Sequence, residues 1–583
     1  MARNVSILLL LLAVVALPFL LRPKDSLLSQ ADETLVIISP HNEAIRYEFA
    51  RGFRDWYKAR TGKLVRIDWR IPGGATEIAR FLASEYQAPF EKQWRRKQRM
   101  RWNTVAQRSF DDPAIKLGRD PAKDTEPQMA RRAFLDSEVG IGIDLFFGGG
   151  AYDFSQQAAA GRLVDSGFIR AHPELFGSGP DQIPPVLAGE PFYDKNGAWV
   201  GTVLSAFGVC YNFDGVRRLL ADPKLGQDNV PDPTGLRAGR RPQGWTDLAN
   251  PLCFGRVALA DPNKSGSVAR AFEMMVQQQI QESRPRSEGL FGPHQVPNDT
   301  ILPSGTAVDT PIFKPDEMDR EHRNQLHDGW EKGMRLIQMA GANARYFTDS
   351  APKVALDVAD GDAALGMAID FYGRFEAETS RDARTGQERM RYFNPPGGTS
   401  AGADPIGLLR GAPHRLLALQ FMEYVLSVEG QKLWNFRRGT PGGPEQYTLR
   451  RLPIRRELYA PEFAAFRADP EVFPYEEART FTYHPEWTAS LFNPLRFIVR
   501  VMCIDPHDEA RDALEALIHA GFPPEATRTF EDVSSVSYEE ARGPVREALA
   551  SSNRLTETRL AARYTTKFRA QYRRAAELAR AGK

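Results

Sequence analysis

The chain has 583 residues, 42% of them hydrophobic and 26% charged, with 76 Lys+Arg against 74 Asp+Glu and a formal net charge of +2. This excludes a disordered tail, a fibre and a small disulfide-stapled module, and at roughly 100–200 residues per domain it predicts about two to four units, each with its own core. The balanced charge argues against a dedicated nucleic-acid binder, and Cys210, Cys253 and Cys503 lie too far apart for a CxxC metal site or a disulfide framework.

The uninterrupted apolar character is concentrated at the start. Arg3 precedes a charge-free run from Val5 to Leu21, which Arg22, Lys24 and Asp25 close. A cationic flank and an apolar stretch of this kind read as a secretory signal. Pro18, Phe19, Leu20 and Leu21 stand where a cleavage site would want small residues, and no cysteine follows for a lipid anchor. The run is close to the roughly 17–25 residues needed to cross a bilayer. Residues 1–30 are therefore either a cleaved signal or an uncleaved membrane anchor, and either one places the remainder outside the cytoplasm.

A short apolar run at 35–39 (LVIIS) stops at Pro40-His41-Asn42, as a buried strand ending in a polar turn does. Asn42 can cap a following helix, in which Ile45, Phe49, Phe53 and Trp56 recur at helical spacing. Val65, Ile67, Trp69 and Ile71 then alternate with charged residues, a period of two, up to Pro72-Gly73-Gly74. Ile78, Phe81 and Leu82 begin a second helix, and a third strand at 141–147 ends in Gly148-Gly149-Gly150. Strand and helix in alternation imply a parallel sheet with right-handed crossovers. All three strands end in small or polar residues, at the edge where an open α/β sheet places its ligand crevice.

Between the second and third strands, residues 88–134 form a charged insertion whose Trp94–Trp102 stretch carries basic residues between tryptophans. A solvated surface helix fits the neutral whole better than a nucleic-acid or lipid contact. The alternation resumes with strands at 207–213, 256–260 and 364–371, a helix bearing Phe272, Met275 and Val276, and a long helix over 415–434. Two Pro/Gly-rich excursions, 221–244 and 282–320, read as loops. Beyond about residue 450 the text turns helical and charged.

Enzyme motifs fail on inspection. Lys264-Ser265 ends like a phosphate-binding loop, but Asn263 replaces the glycine that loop needs. Ser205 has no nucleophile-elbow glycines around it, and His322 and His327 are spaced for different helix faces.

Several blocks, in order, resemble the extracytoplasmic solute-binding proteins of ABC importers, nearest the type 2 periplasmic-binding group of ferric-iron, polyamine and thiamine binders. They are LVIISPHNEAIRYEFARGFRDWYKARTGKLVRIDWR, PGGATEIARFLASEY, IDLFFGGGAYDFSQQAAAGRLV, WVGTVLSAFGVCYN, GWTDLANPLCFGRVALADPNKSGS, GDAALGMAIDFYGR, ADPIGLLRGAPHRLLALQFMEYVLSVEGQKLW and RRLPI. The resemblance implies an α/β, two-lobed, Venus-flytrap fold with hinge strands near Ser205–Tyr211 and Asp370–Gly373. Lobe 1 would span 31–204, lobe 2 205–372, a return to lobe 1 373–450, and a helical extension 451–583.

Carried over block by block, the expected ligand contacts are Ser39, His41, Asn42, Gly73, Gly74, Gly148, Gly149, Ser205, Ser265, Gly266, Ser267, Asp370 and Tyr372. The implied function is capture of a small polar or oxyanionic solute for delivery to an ABC permease. No cofactor, no nucleic acid, no chemical step and no second copy of the chain are expected. A ferric-iron receptor is the first alternative, with His41 and Tyr372 as ligands. Phe371 stands in place of a second tyrosine and Gly148–Gly150 in place of an acidic ligand, which thins that donor set. A membrane-anchored sensor or scaffold on the same fold is the second alternative, favoured by the excursions and the C-terminal third.

Overall fold

The computed structural model describes residues 31–222, 230–283, 320–551 and 553–583. The expectations for the leader 1–30 and for most of the two excursions lie outside these residues. Within them the chain forms fourteen strands, in order β1 (Glu33–Ile38), β2 (Val65–Arg70), β3 (Leu145–Phe147), β4 (Leu163–Val164), β5 (Val186–Leu187), β6 (Glu190–Pro191) and β7 (Trp199–Ser205). The series continues with β8 (Phe207–Asn212), β9 (Val257–Ala260), β10 (Ala344–Thr348), β11 (Leu365–Ile369), β12 (Met390–Phe393), β13 (Gly402–Leu409) and β14 (Leu452–Pro453).

Two sheets result. The first runs β14-β7-β13-β3-β1-β2, with β4 paired beside β13; the second runs β10-β9-β11-β8-β12. As the strand–helix alternation predicts, β1 pairs in parallel with both β2 and β3, with Leu35 opposite Ile67 and Ile37 opposite Leu145. β7 and β13, which the spacing analysis did not single out as strands, complete this sheet antiparallel to one another. They are buried along nearly their whole length, so neither shows the alternation of a half-exposed strand.

The helix Glu43–Thr61 begins where Asn42 Oδ1 accepts the Ile45 N–H and ends at Gly62, whose φ of 74° only glycine adopts freely. It buries Phe49 and Phe53 with Phe147, Phe421 and Trp434 on one face of the first sheet. Ile38, Ile78, Phe146 and Phe154 fill the other face. The charged insertion has a small core of its own, in which Phe90, Trp94, Phe110 and Phe134 pack together while Arg95, Arg96 and Lys97 stay exposed. The helix expected over 415–434 is two, Arg415–Leu426 and Val428–Asn435. Ser427 leaves helical dihedrals and caps the second through the Gly430 N–H.

The chain passes from the first sheet to the second through one residue, Ala206, between β7 and β8. It does not return at Asp370–Gly373 as the resemblance implied. Asp370 opens a helix, Asp370–Thr379, and β12 then adds to the second sheet beside β8 before residues 394–401 lead back to β13. A third passage follows β14. The C-terminal helices do not form a separate appendage: Trp487, Ile498, Leu517, Phe530, Phe568 and Tyr572 join Val209, Leu259, Met275 and Trp330 in the core of the second lobe.

Candidate functional site

The carboxyl ends of β1, β3 and β7 and the start of β13 meet beside the Ala206 joint, and β11 delivers the first turn of the Asp370–Thr379 helix to the same place. Five of the expected residues gather there. Ser39 Oγ donates to the Phe147 carbonyl at 2.8 Å and accepts the His41 N–H at 3.1 Å, which ties the end of β1 to the end of β3. Gly148, at φ 90°, closes the turn. A Cβ at that position would lie 2.4 Å from His41 Nε2, so glycine is required for the imidazole to sit where it does. Ser205 is buried at the end of β7, and Asp370 is wholly buried across the joint.

The residue that ties them together is Arg451, next to β14, which the residue-by-residue reading did not select although it lies in the RRLPI block. It is 1% exposed. Its Nη2 donates to Ser205 Oγ and to Asp404 Oδ2, and its Nη1 lies 3.4 Å from His41 Nε2. The guanidinium carbon stands 4.4 Å from the centre of the Phe371 ring, a cation–π contact from the first lobe to the second. Because an arginine only donates, His41 Nε2 must accept, and the imidazole proton sits on Nδ1. Burial, then the charges of Arg451 and Arg46, push the His41 pKa well down, so the ring is neutral. His41 Nδ1 and Arg451 Nε are both buried without a hydrogen-bond partner.

Asp370 is held differently. Its Oδ1 accepts the Phe371 N–H at 2.8 Å and its Oδ2 accepts from Arg374 Nη1 at 3.1 Å. Burial raises its pKa to about 6 against the opposing pull of Arg374 and Arg451. Burial likewise raises Asp404, against Arg451 and the Ser205 hydroxyl. Tyr372 is raised by burial, and its ring stacks obliquely on Phe371 with centroids 4.2 Å apart.

A second group of expected residues lies at the rim. Gly74 caps the helix Ala75–Glu85, and a Cβ there would be 3.7 Å from the Lys264 carbonyl of the second lobe. Ser265 caps the helix Gly266–Glu282, and a Cβ on Gly266 would lie 3.2 Å from Asp153 Oδ2 of the first. Gly73, at φ 145°, packs on Glu77, and Gly149, at φ 114°, packs on Ala75, so both shape the rim through the backbone. Asn42 spends its side-chain oxygen on the helix cap and stays exposed. Ser267 lies partly buried in the first turn of the Gly266–Glu282 helix.

Arg496 was not anticipated. It donates to the Pro262 and Asn263 carbonyls at 2.9 and 3.0 Å and to Thr76 Oγ1 at 3.4 Å, so a C-terminal residue bridges both lobes. Burial pushes the neighbouring Asp153 up to about 6, against the pull of Arg496.

The iron alternative rests on His41 and Tyr372. His41 Nε2 faces a guanidinium rather than an open position, and among the described residues no three His, Cys, Asp or Glu side chains cluster as metal ligands.

Two α/β lobes, each built on its own sheet, are joined by crossing strands with polar strand ends converging beside the joint, the architecture that the family resemblance implies. The family profile described as bacterial extracellular solute-binding protein matches residues 230–436, which bears out the resemblance read from the sequence. Similar solved structures include iron-bound HitA from Pseudomonas aeruginosa, at 15% identity over 80% of this chain and 99% of that one, with a TM-score of 0.43. Another is the periplasmic binding protein AfuA from Actinobacillus pleuropneumoniae with fructose-6-phosphate bound, at 15% identity over 73% of this chain and 86% of that one, TM-score 0.41. No curated protein matches the chain.

Proposed function

We propose that this protein is the extracytoplasmic receptor of an ABC importer, which captures a small polar solute between its lobes and hands it to a membrane permease without altering it. The observation that carries this reading is the gathering of His41, Gly148, Ser205, Asp404 and Arg451 from the first lobe against Asp370 and Phe371 from the second, next to a one-residue joint. A solute held there touches both lobes only when they are closed, and that difference in contact drives closure. The match to the extracellular solute-binding family supports the same reading. The remaining expected residues, Gly73, Gly74, Ser265, Gly266 and Ser267 at the rim, with Ser39, Gly149 and Tyr372, would complete the enclosure. The protein would work as a single copy, with residues 1–30 directing it out of the cytoplasm and, if uncleaved, holding it beside the permease.

The sensor or scaffold reading drew its support from the excursions, much of which lies outside the described residues, and from the C-terminal third, whose helices pack into the core of the second lobe. The C-terminal third therefore no longer favours it over the receptor. A thermal-shift screen over oxyanions, sugars, polyamines, amino acids and Fe(III) tests the proposal. A cognate solute at about 100 times its Kd stabilises the folded state by about 2.7 kcal/mol, and a screen in which nothing raises Tm counts against a receptor.

A further inference from the structure

Resting on the reading of this gathering of residues as a solute site, its buried donors define what kind of solute it takes. A guanidinium has five N–H donors in a planar fork. Arg451 spends two Nη2 protons on Ser205 and Asp404 and points Nη1 at His41, and its Nε is buried with no partner. The neutral His41 keeps its proton on Nδ1, and that atom is buried and unpartnered as well. Both unmet atoms are donors. Buried donors left without acceptors are costly, each by the desolvation of one polar group.

The partner that Arg451 does have is a weak version of the one its geometry suits. Asp404 meets it through a single oxygen, Oδ2, whereas a carboxylate or phosphate can engage two donors of the fork at once. Asp404 is also the less enclosed partner, with its side chain 16% exposed against 1% for Arg451. The carboxylate can turn toward solvent; the arginine, packed between the Phe371 and Trp434 rings, cannot. The other charges close by, Asp370 and Arg374, are already paired with each other and leave no net charge to repel an incoming anion.

We infer that the solute is an anion carrying a carboxylate or phosphate group, that Arg451 recognises that group, and that Asp404 occupies Arg451 as an internal stand-in which the solute displaces. The inference assigns Arg451 as the specificity-determining residue and Asp404 as its competitor. Exchange replaces a one-point contact by a two-point contact and supplies acceptors where donors are unmet.

The test uses the full chain with inorganic phosphate, a hexose phosphate and succinate as anionic probes, and glucose and putrescine as neutral and cationic ones, read by thermal shift and isothermal titration. At least one anion should bind, and the phosphate and succinate arms decide which head group is preferred. Asp404→Asn removes the competing charge at nearly constant shape and should tighten that anion about tenfold or more, the scale of one charge-assisted hydrogen bond. Arg451→Lys keeps the charge but loses the fork, and should weaken it by a similar factor. Arg451→Gln should abolish it. If Arg451→Gln does not fold, as circular dichroism would reveal, the Asp404→Asn and Arg451→Lys results decide. Binding of glucose or putrescine alone, or anion binding unchanged in Asp404→Asn and Arg451→Lys, overturns the inference and leaves the receptor intact. A complete absence of binding by all five probes and by the wider screen overturns the receptor reading as well.

Discussion

Asp370 shows how much a single buried carboxyl can set. It has no solvent exposure, one oxygen on a backbone N–H and the other on Arg374, and a pKa raised by burial to about 6. A carboxyl raised in the folded state binds its proton more tightly there than in the unfolded chain. Its contribution is therefore fully present below the unfolded value near 3.8 and is lost as pH rises through about 6. Asp370→Asn removes this titration. The stability of the wild-type protein relative to Asp370→Asn should fall between about pH 4 and pH 6, by on the order of 2–3 kcal/mol, and stay flat above pH 7. Urea unfolding of both proteins across that range measures it, and parallel curves would remove the assignment. Asp370→Ala should be worse by about 3–5 kcal/mol at neutral pH, since it leaves Arg374 buried without its partner. His41, Ser205 and Asp370 are carried over from the family resemblance; His41 and Asp370 also stand where apolar runs end, whereas the strand before Ser205 shows no alternation that would mark it. Arg451 could not be separated from Arg450 by pattern alone. In the fold Arg450 turns to Asp469 and Glu378 while its neighbour goes to Ser205 and Asp404, a division made by tertiary contacts.

At the scale of elements, local periodicity found the helices but not their partners. The helix Arg554–Arg580 shows a charged surface in sequence, yet it buries Tyr564, Phe568, Tyr572 and Leu578. The Tyr572 hydroxyl donates to the Met502 carbonyl at 2.9 Å, which anchors the last helix to the interior of the second lobe. Nothing in residues 451–583 announces that lobe, because the strands they pack against lie earlier in the chain, before its return to the first sheet. Phe568→Ala should therefore destabilise the second lobe by about 3–5 kcal/mol. Phe110→Ala, in the separate cluster of the charged insertion, should cost a comparable amount within the first lobe. Hydrogen exchange on each variant distinguishes them: Phe568→Ala should speed exchange in β9 and β11 and leave β1 and β3 protected, and Phe110→Ala should leave β9 and β11 unchanged. Equal loss of protection throughout would mean that the two lobes unfold as one unit.

Across the whole molecule, side chains and backbone fasten the lobes at points remote from the joint. Glu190, on the β5–β6 hairpin of the first lobe, accepts from Arg270 on the helix Gly266–Glu282 and from Ser400 on the return passage. The Tyr483 N–H donates to the Ala188 carbonyl of the same hairpin at 2.8 Å. Tyr152 and Phe492 face each other at 4.5 Å across the rim. These ties hold the two lobes against one another, so under the receptor reading Glu190→Gln should shift the population toward a more open arrangement. Small-angle scattering without added solute should then give a larger radius of gyration than the wild type, and the cognate solute should restore it. An unchanged radius would place the hold elsewhere.

The single residue between β7 and β8 sets more than the path between the lobes. Strands alternate faces with a period of two, so a joint of one residue carries the phase of β7 directly into β8. The Ala206 carbonyl accepts the Asp370 N–H at 2.9 Å, and the Phe207 N–H donates to Thr399 Oγ1 on the returning passage at 3.2 Å. The two passages are thus locked in step at one level of the molecule. A residue added after Ala206 would invert every side chain of β8 relative to β11 and β12. One added within 394–401 would displace Thr399 and Ser400 from their partners without inverting any strand. The tolerance of this protein to change is therefore asymmetric about the same joint: its outgoing passage acts as a phase-setting splice, and its incoming one as a clasp.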